Sequence, residues 1–177
     1  MKLARIAALA VLAFCFAIAA HAKSRAEKAL SDPQIAGIVV ATNQADIDAG
    51  KLAKARSTNK DVQRFADQMV QQHSAVNQKA ATLARKLNAR PQDTEASRQL
   101  KIAARERQEQ LKGIQGADFD RAYLDHQIAH HEQVLDALDK VLIPGARNVE
   151  LKELLQKVRP AVAEHIEHAK ILQATLD

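Results

Sequence analysis

Three histidines sit in the middle of otherwise apolar helical stripes. Imidazole is the side chain here best suited to bind a transition metal or to exchange a proton near neutral pH. Stepping alternately by four and three, one stripe runs Val62, Ala66, Met69, His73, Val76, Ala80, Leu83 and Leu87. A second runs Leu124, Ile128, His131, Leu135, Leu138 and Leu142, and a third Leu151, Leu155, Val158, Val162, His165, Ala169, Leu172 and Leu176. That spacing marks helix faces buried against other helices, so each histidine is expected to point into a bundle core. A buried imidazole without a partner is costly; three at matching positions are expected to satisfy one another, a shared ligand or water.

Position along the helices sharpens the expectation. His73 and His131 fall near the midpoints of their stripes and His165 slightly past its own, while Asp46 lies mid-helix on a fourth face made of Ile35, Val39, Thr42, Asp46, Ala49 and Ala53. Midpoints of similar-length helices share a level in a bundle, so His73, His131, His165 and Asp46 are candidate ligands of one divalent transition metal: zinc, copper, nickel or iron. Met69, one turn before His73, offers a thioether that would favour copper, or simply fills the core. The competing explanation of the layer is a hydrogen-bonded polar stratum, with or without buried water, that fixes helix register. His126 and His130, one turn apart, with His168 on the last helix, form a weaker candidate pair that reads equally well as residues at the core boundary.

Several chemistries are excluded by what the spacing lacks. A ferritin-like di-iron centre needs Glu-x-x-His on two helices. The positions three before the histidines from His73 onward hold Val70, Tyr123, Gln127, Ile128, Val162 and His165, so that chemistry is disfavoured. No nucleophile elbow, phosphate-cradling glycine loop or Cys-x-x-Cys pair occurs. Glu164 and Glu167 fall on the flank of the last helix and read as a solvated face.

The elements that must position these residues are all helical. Ser31-Asp32-Pro33 starts a first helix reaching about Arg56, Ser57-Thr58-Asn59 caps a second ending near Asn88, and a loop through Pro91 leads to a charged helix from about Glu95 to Lys112. Gly113 and Gly116 end that segment, a helix from Asp118 runs to about Ile143, and Pro144-Gly145 turns into a last helix from about Asn148 to Leu176. Pro160 lies inside that helix and is expected to bend it about one and a half turns before His165. Short connections make each pair of long helices an antiparallel hairpin, and the charged helix between the pairs is long enough to return the chain along the bundle. The fold class expected is all-α: a ferritin-like four-helix bundle whose long crossover carries an additional helix.

At the N-terminus, Lys2 and Arg5 precede an apolar run from Ile6 to Ala20, and Ala20-His21-Ala22 supplies a small-x-small cleavage pattern. Residues 1–22 read as a cleaved secretory signal, with Lys23 first in a single domain of residues 23–177 and a periplasmic or otherwise exported destination. About fifteen apolar residues fall short of the roughly twenty that span a bilayer, so no integral membrane segment is expected after cleavage. The lone Cys15 lies within the signal, so no disulfide forms in the mature chain. Losing Lys2 and Arg5 takes the formal charge from +5 to +3, too small and dispersed to argue for nucleic acid.

A family resemblance runs through the same residues. Asp46-Ile47 with Gly50-Lys51-Leu52-Ala53, Val62 with Phe65-Ala66 and Met69-Val70-Gln71-Gln72-His73, then Phe119-Asp120-Arg121-Ala122-Tyr123 followed by His131, and Pro160 followed by His165 and Ala169 resemble the bacterial envelope family catalogued as domain of unknown function 4142. The resemblance implies a secreted, ferritin-like helical domain of no assigned activity, with its characteristic histidines at His73, His131 and His165 and its acidic position at Asp46. Two departures are visible: Asp46 stands where glutamate is more usual, and Gln72 where an aspartate commonly precedes the histidine.

The leading functional expectation is a non-catalytic binding protein of the cell envelope, holding a metal in the histidine layer or presenting its helices to an envelope partner. The alternatives are a metal-dependent enzyme with an open coordination position, for which a solvent-reaching cleft at the layer is required, and a purely structural or stress-related envelope protein.

Overall fold

The computed structural model describes residues 29–176. The N-terminal signal segment expected over residues 1–22 lies outside them. Five long helices make up the fold: α1 (Asp32–Arg56), α2 (Lys60–Lys86), α3 (Glu95–Lys112), α4 (Gly116–Ala137) and α6 (Val149–Ala174). A π-helical turn, Leu138–Leu142, and a single helical turn, α5 (Ile143–Gly145), continue α4 toward α6. No strand occurs among the described residues.

Local chemistry sets most of the boundaries. Asn59 Oδ1 accepts the backbone N–H groups of Asp61 and Val62 at 2.8 and 3.3 Å to start α2. Thr94 Oγ1 and Ser97 Oγ exchange hydrogen bonds with each other's backbone N–H at 3.0 and 2.9 Å, a reciprocal cap for α3. Asn148 Oδ1 caps α6 through the Leu151 N–H at 3.0 Å. Gly116, at φ 60°, makes the turn between α3 and α4 in the left-handed region that glycine adopts without strain, so it begins α4 rather than ending α3. The last helix is assigned without a break through Pro160. Just before the proline, the Arg159 guanidinium forks onto Asp139 of the π turn at 2.6 and 2.7 Å.

α1 packs along α2 and α4 along α6 as two hairpins, which join with α1 beside α4 and α2 beside α6. α1 and α6 therefore stand at opposite corners of a four-helix ring, and α3 lies outside it against α1. The core shows the helix directions. One apolar cluster gathers Ala49 and Ala53 from the end of α1, Phe65 and Met69 from the start of α2, Leu111 from the end of α3, Phe119 and Tyr123 from the start of α4 and Ala169 from the end of α6. The other gathers Ile35 and Val39 from the start of α1 with Leu138, Leu142, Leu151 and Leu155. α2 and α4 are therefore parallel, as the length of the crossover helix anticipates. The wholly buried Phe65, Met69, Phe119 and Leu155 each contribute roughly 1.5–3 kcal/mol through burial.

The α2–α3 loop is pinned onto the first turns of α1. Gln92 N–H donates to the Pro33 carbonyl at 2.8 Å, and a Cβ on Gly37 would stand 2.0 Å from the Gln92 carbonyl oxygen. Gly37→Val is expected to lower the unfolding free energy in urea by about 2 kcal/mol or more through backbone displacement, whereas Gly113→Ala, whose nearest neighbour would be 3.4 Å away, leaves it within about 0.5 kcal/mol.

Candidate metal centre

Between the two apolar clusters lies a polar stratum. Asp46 from α1, His73 from α2, His131 from α4 and His165 from α6 are 1, 4, 1 and 3 % exposed. His73 Nε2 is 3.4 Å from His131 Nε2, which in turn is 3.2 Å from His165 Nδ1. One nitrogen from each of the three rings lies within 4.8 Å of the others.

The other nitrogen of each ring faces an oxygen acceptor. His73 Nδ1 lies 2.9 Å from Asn43 Oδ1, His131 Nδ1 is 2.9 Å from the Gln127 carbonyl, and His165 Nε2 is 2.5 Å from Gln72 Oε1. These acceptors assign the proton of each neutral ring to its outer nitrogen, because an oxygen lone pair must meet an N–H. The three inner nitrogens then present lone pairs to one another with no proton between them. Such a cluster is satisfied by a cation. Around a tetrahedral ion with bonds of about 2.0–2.1 Å, neighbouring nitrogens stand about 3.3–3.4 Å apart, close to the two separations found here.

Electrostatics keep the rings in the ligating form. Burial, only partly offset by Asp46, holds His73 and His131 below the ordinary imidazole pKa; burial and the neighbouring His131 and His73 push His165 down to about 3. Burial alone would raise Asp46, but the facing imidazoles of His131, His130 and His73 outweigh it and hold the carboxyl far below the usual range. Asp46 Oδ2 stands 3.6 Å from His73 Nδ1 and 3.4 Å from His130 Nε2. Burial pulls His130 down and the Asp46 carboxylate pulls it up more strongly, so the net direction is upward. The layer thus sets a triad held below the ordinary imidazole pKa apart from His130, which the Asp46 carboxylate holds above it.

All four residues of the expected layer come together, but Asp46 faces the outer nitrogen of His73 and is not part of the converging trio. The cause is topological: α1 is diagonal to α6, so its carboxylate reaches α2 and α4 and not His165. Met69 belongs to the apolar cluster on the α2 N-terminal side. His126 lies beside His130, ring centroids 5.7 Å apart, while His168 packs edge-on against Phe65 at 5.1 Å, so these three do not assemble a second site. His130 is more enclosed than a core-boundary position, its side chain only 10 % exposed. Asn43, Gln127 and Gln72 are functional neighbours that spacing alone did not single out, although Asn43 and Gln127 lie one turn before Asp46 and His131 on the same faces.

The layer is reachable from one side. A groove of about 870 Å³ between α2 and α6 is lined at one end by Gln72, His73 and His165.

Residues 17–172 match the family described as Domain of unknown function (DUF4142). The chain belongs to this family. No curated protein and no solved structure matches it. What is shown for this DUF4142 domain is an all-helical bundle with three buried histidines close enough to coordinate a metal ion. Among the described residues no helix is long and apolar enough to cross a membrane.

A pH dependence follows for the metal-free protein. His73, His131 and His165 have folded pKa values below the unfolded value near 6.5, so their contribution is complete above that value and is lost as the pH falls through it. His126, held down to about 4 chiefly by burial, acts in the same sense and His130 in the opposite one, one group against four. In chelator-treated protein, stability is expected to fall from pH 7 to pH 4.5, by up to about 1.4 kcal/mol per pH unit for each extra proton bound on unfolding. His165→Gln should flatten the slope; a melting temperature indifferent to pH over that range would contradict the neutral triad.

Proposed function

We propose that this chain is an exported cell-envelope protein that holds one divalent transition metal at His73, His131 and His165. The observation that carries the reading is the convergence of three ring nitrogens, one from each histidine and all within 4.8 Å of one another, each ring with an oxygen acceptor on its far side. Outer hydrogen bonds of this kind orient ligand rings, fix their tautomer and raise their basicity. Asn43, the Gln127 carbonyl and Gln72 take that part here, and Asp46 offsets positive charge. Three neutral imidazoles suit zinc, copper, nickel or iron, in that family of borderline ions rather than calcium or magnesium.

The groove bears on what the ion does. Three protein ligands leave a tetrahedral ion one position for an outside group, and the groove between α2 and α6 reaches two of the three ligands. A site that only stiffens the bundle needs no such approach. The second reading, a metal-dependent enzyme whose ion activates a bound water, is favoured by that opening. Residues 1–22 support the envelope location through Lys2, Arg5, the Ile6–Ala20 run and the Ala20-His21-Ala22 pattern. The N-terminus of protein recovered from a periplasmic fraction is accordingly expected at Lys23, as Edman or mass-spectrometric sequencing would read.

Elemental analysis of untagged protein after equilibration with zinc, copper(II), nickel or iron(II) tests the metal reading. One equivalent of at least one ion is expected, falling to near zero in His131→Ala. Gln72→Ala should retain the stoichiometry at saturating metal but weaken affinity by about 10–100-fold, the usual cost of removing an outer partner. Wild-type protein that takes up no equivalent of any of the four would sink the proposal and return the histidines to a register-fixing role.

A further inference from the structure

We propose that the groove between α2 and α6 binds an apolar-tailed carboxylate, a medium-chain fatty acid or its chemical equivalent, with the carboxylate on the triad's metal and the tail along the groove. The inference rests on the metal reading above and adds the class of the fourth ligand.

Charge selects the head. Three neutral imidazoles leave both positive charges of a divalent ion uncompensated, and Asp46, already engaged with His130 at 3.4 Å, offsets at most part of them. An anionic oxygen ligand is therefore preferred at the fourth position, and two of the three ligand residues line the groove. Shape and composition select the tail. Beyond His73 and His165 the apolar part of the groove's lining is Val76 and Leu83 of α2 with Ala161, Val158 and Leu154 of α6, and it is flanked by the polar Thr82, Glu153, Lys157 and Glu164. The apolar side chains recede from the triad on the two antiparallel helices, so they form a strip that runs on from His73 and His165. From His73 to Leu83 the strip is about 15 Å long at the helical rise. At its far end the Lys86 ammonium grips both oxygens of Glu150 at 2.8 Å, closing the apolar stretch with an ion pair. Lys79 lines the α2 wall about 9 Å along the helix from His73, and Glu164 lines the groove beside His165, so the ion itself is what attracts the anionic head. A small anion such as acetate would use the metal and leave the strip in water; an alkanol would use the strip and leave the metal.

The strip has a finite length, which makes the proposal quantitative. Each buried methylene is worth about fourfold in affinity. The groove is open along one side, so roughly half of that burial applies to an extended tail.

The test uses the purified protein loaded with cobalt(II), whose visible bands report changes in coordination. Acetate, octanoate, decanoate, hexadecanoate and decanol are titrated in turn. Octanoate is expected to shift the bands at concentrations at least about thirtyfold below acetate. Affinity should rise further to decanoate and then level off toward hexadecanoate, and decanol should leave the bands unchanged. Leu154→Glu, far from the ligands, should keep one cobalt per chain and abolish the advantage of decanoate over acetate; Ala161→Phe, filling the strip one turn from His165, should do the same. Equal affinities for acetate and decanoate, or an advantage untouched by Leu154→Glu, would overturn this inference while leaving the metal site standing. Failure to take up cobalt at all would overturn both.

Discussion

Three imidazole lone pairs pointed at one another cannot be left alone in a protein core. Water would hydrate them at the surface and a proton would bridge them in acid, but between two apolar clusters water comes only from the side of the α2–α6 groove. The fold accepts this cost at its midpoint, and the surrounding polar residues are arranged around it. Asn43, Gln72 and the Gln127 carbonyl turn the protons outward; Asp46 and His130 face each other to the side. The apolar ends of the bundle supply the burial that holds the stratum together.

Helix direction is what allows the stratum to exist. Because α2 and α4 run parallel and α1 and α6 oppose them, residues near the centre of every long helix meet at one level whatever their place in the chain. The crossover helix α3 sets those directions by carrying the chain back outside the ring, and its Leu111 joins the apolar cluster where α4 begins. Its remaining length is largely exposed, consistent with a spacer that packs on α1 and takes no part in the histidine layer.

Much of this was legible in the residues themselves. Apolar periodicity located the helix faces, and all six residues assigned to the inward face of α1, Ile35, Val39, Thr42, Asp46, Ala49 and Ala53, are buried. Helix midpoints placed the four polar residues at one level. Periodicity cannot say which ring nitrogen faces inward, because that depends on side chains of other helices: Asn43 across from His73, Gln72 across from His165. Nor does it give the order of helices around the ring, which is why Asp46 looked equivalent to the histidines when it is diagonal to one of them. The end of α4 escaped for a different reason. Its extra residue is absorbed in a π turn at Leu138–Leu142, which keeps both leucines buried and so leaves the apolar pattern unbroken.

The origin of the three ligands in the chain gives the site a second consequence. His73 belongs to one hairpin, His131 and His165 to the other, and His73 is separated from His131 by 58 positions. An ion held by all three would act as a crosslink, closing a large loop and restricting the unfolded chain as a disulfide does, with an entropic gain that grows slowly with loop length. A chain with one cysteine has no disulfide of its own to perform that task. The strength of the joint between hairpins would then be set by the free ion concentration of the compartment and, for zinc or nickel, not by its redox state.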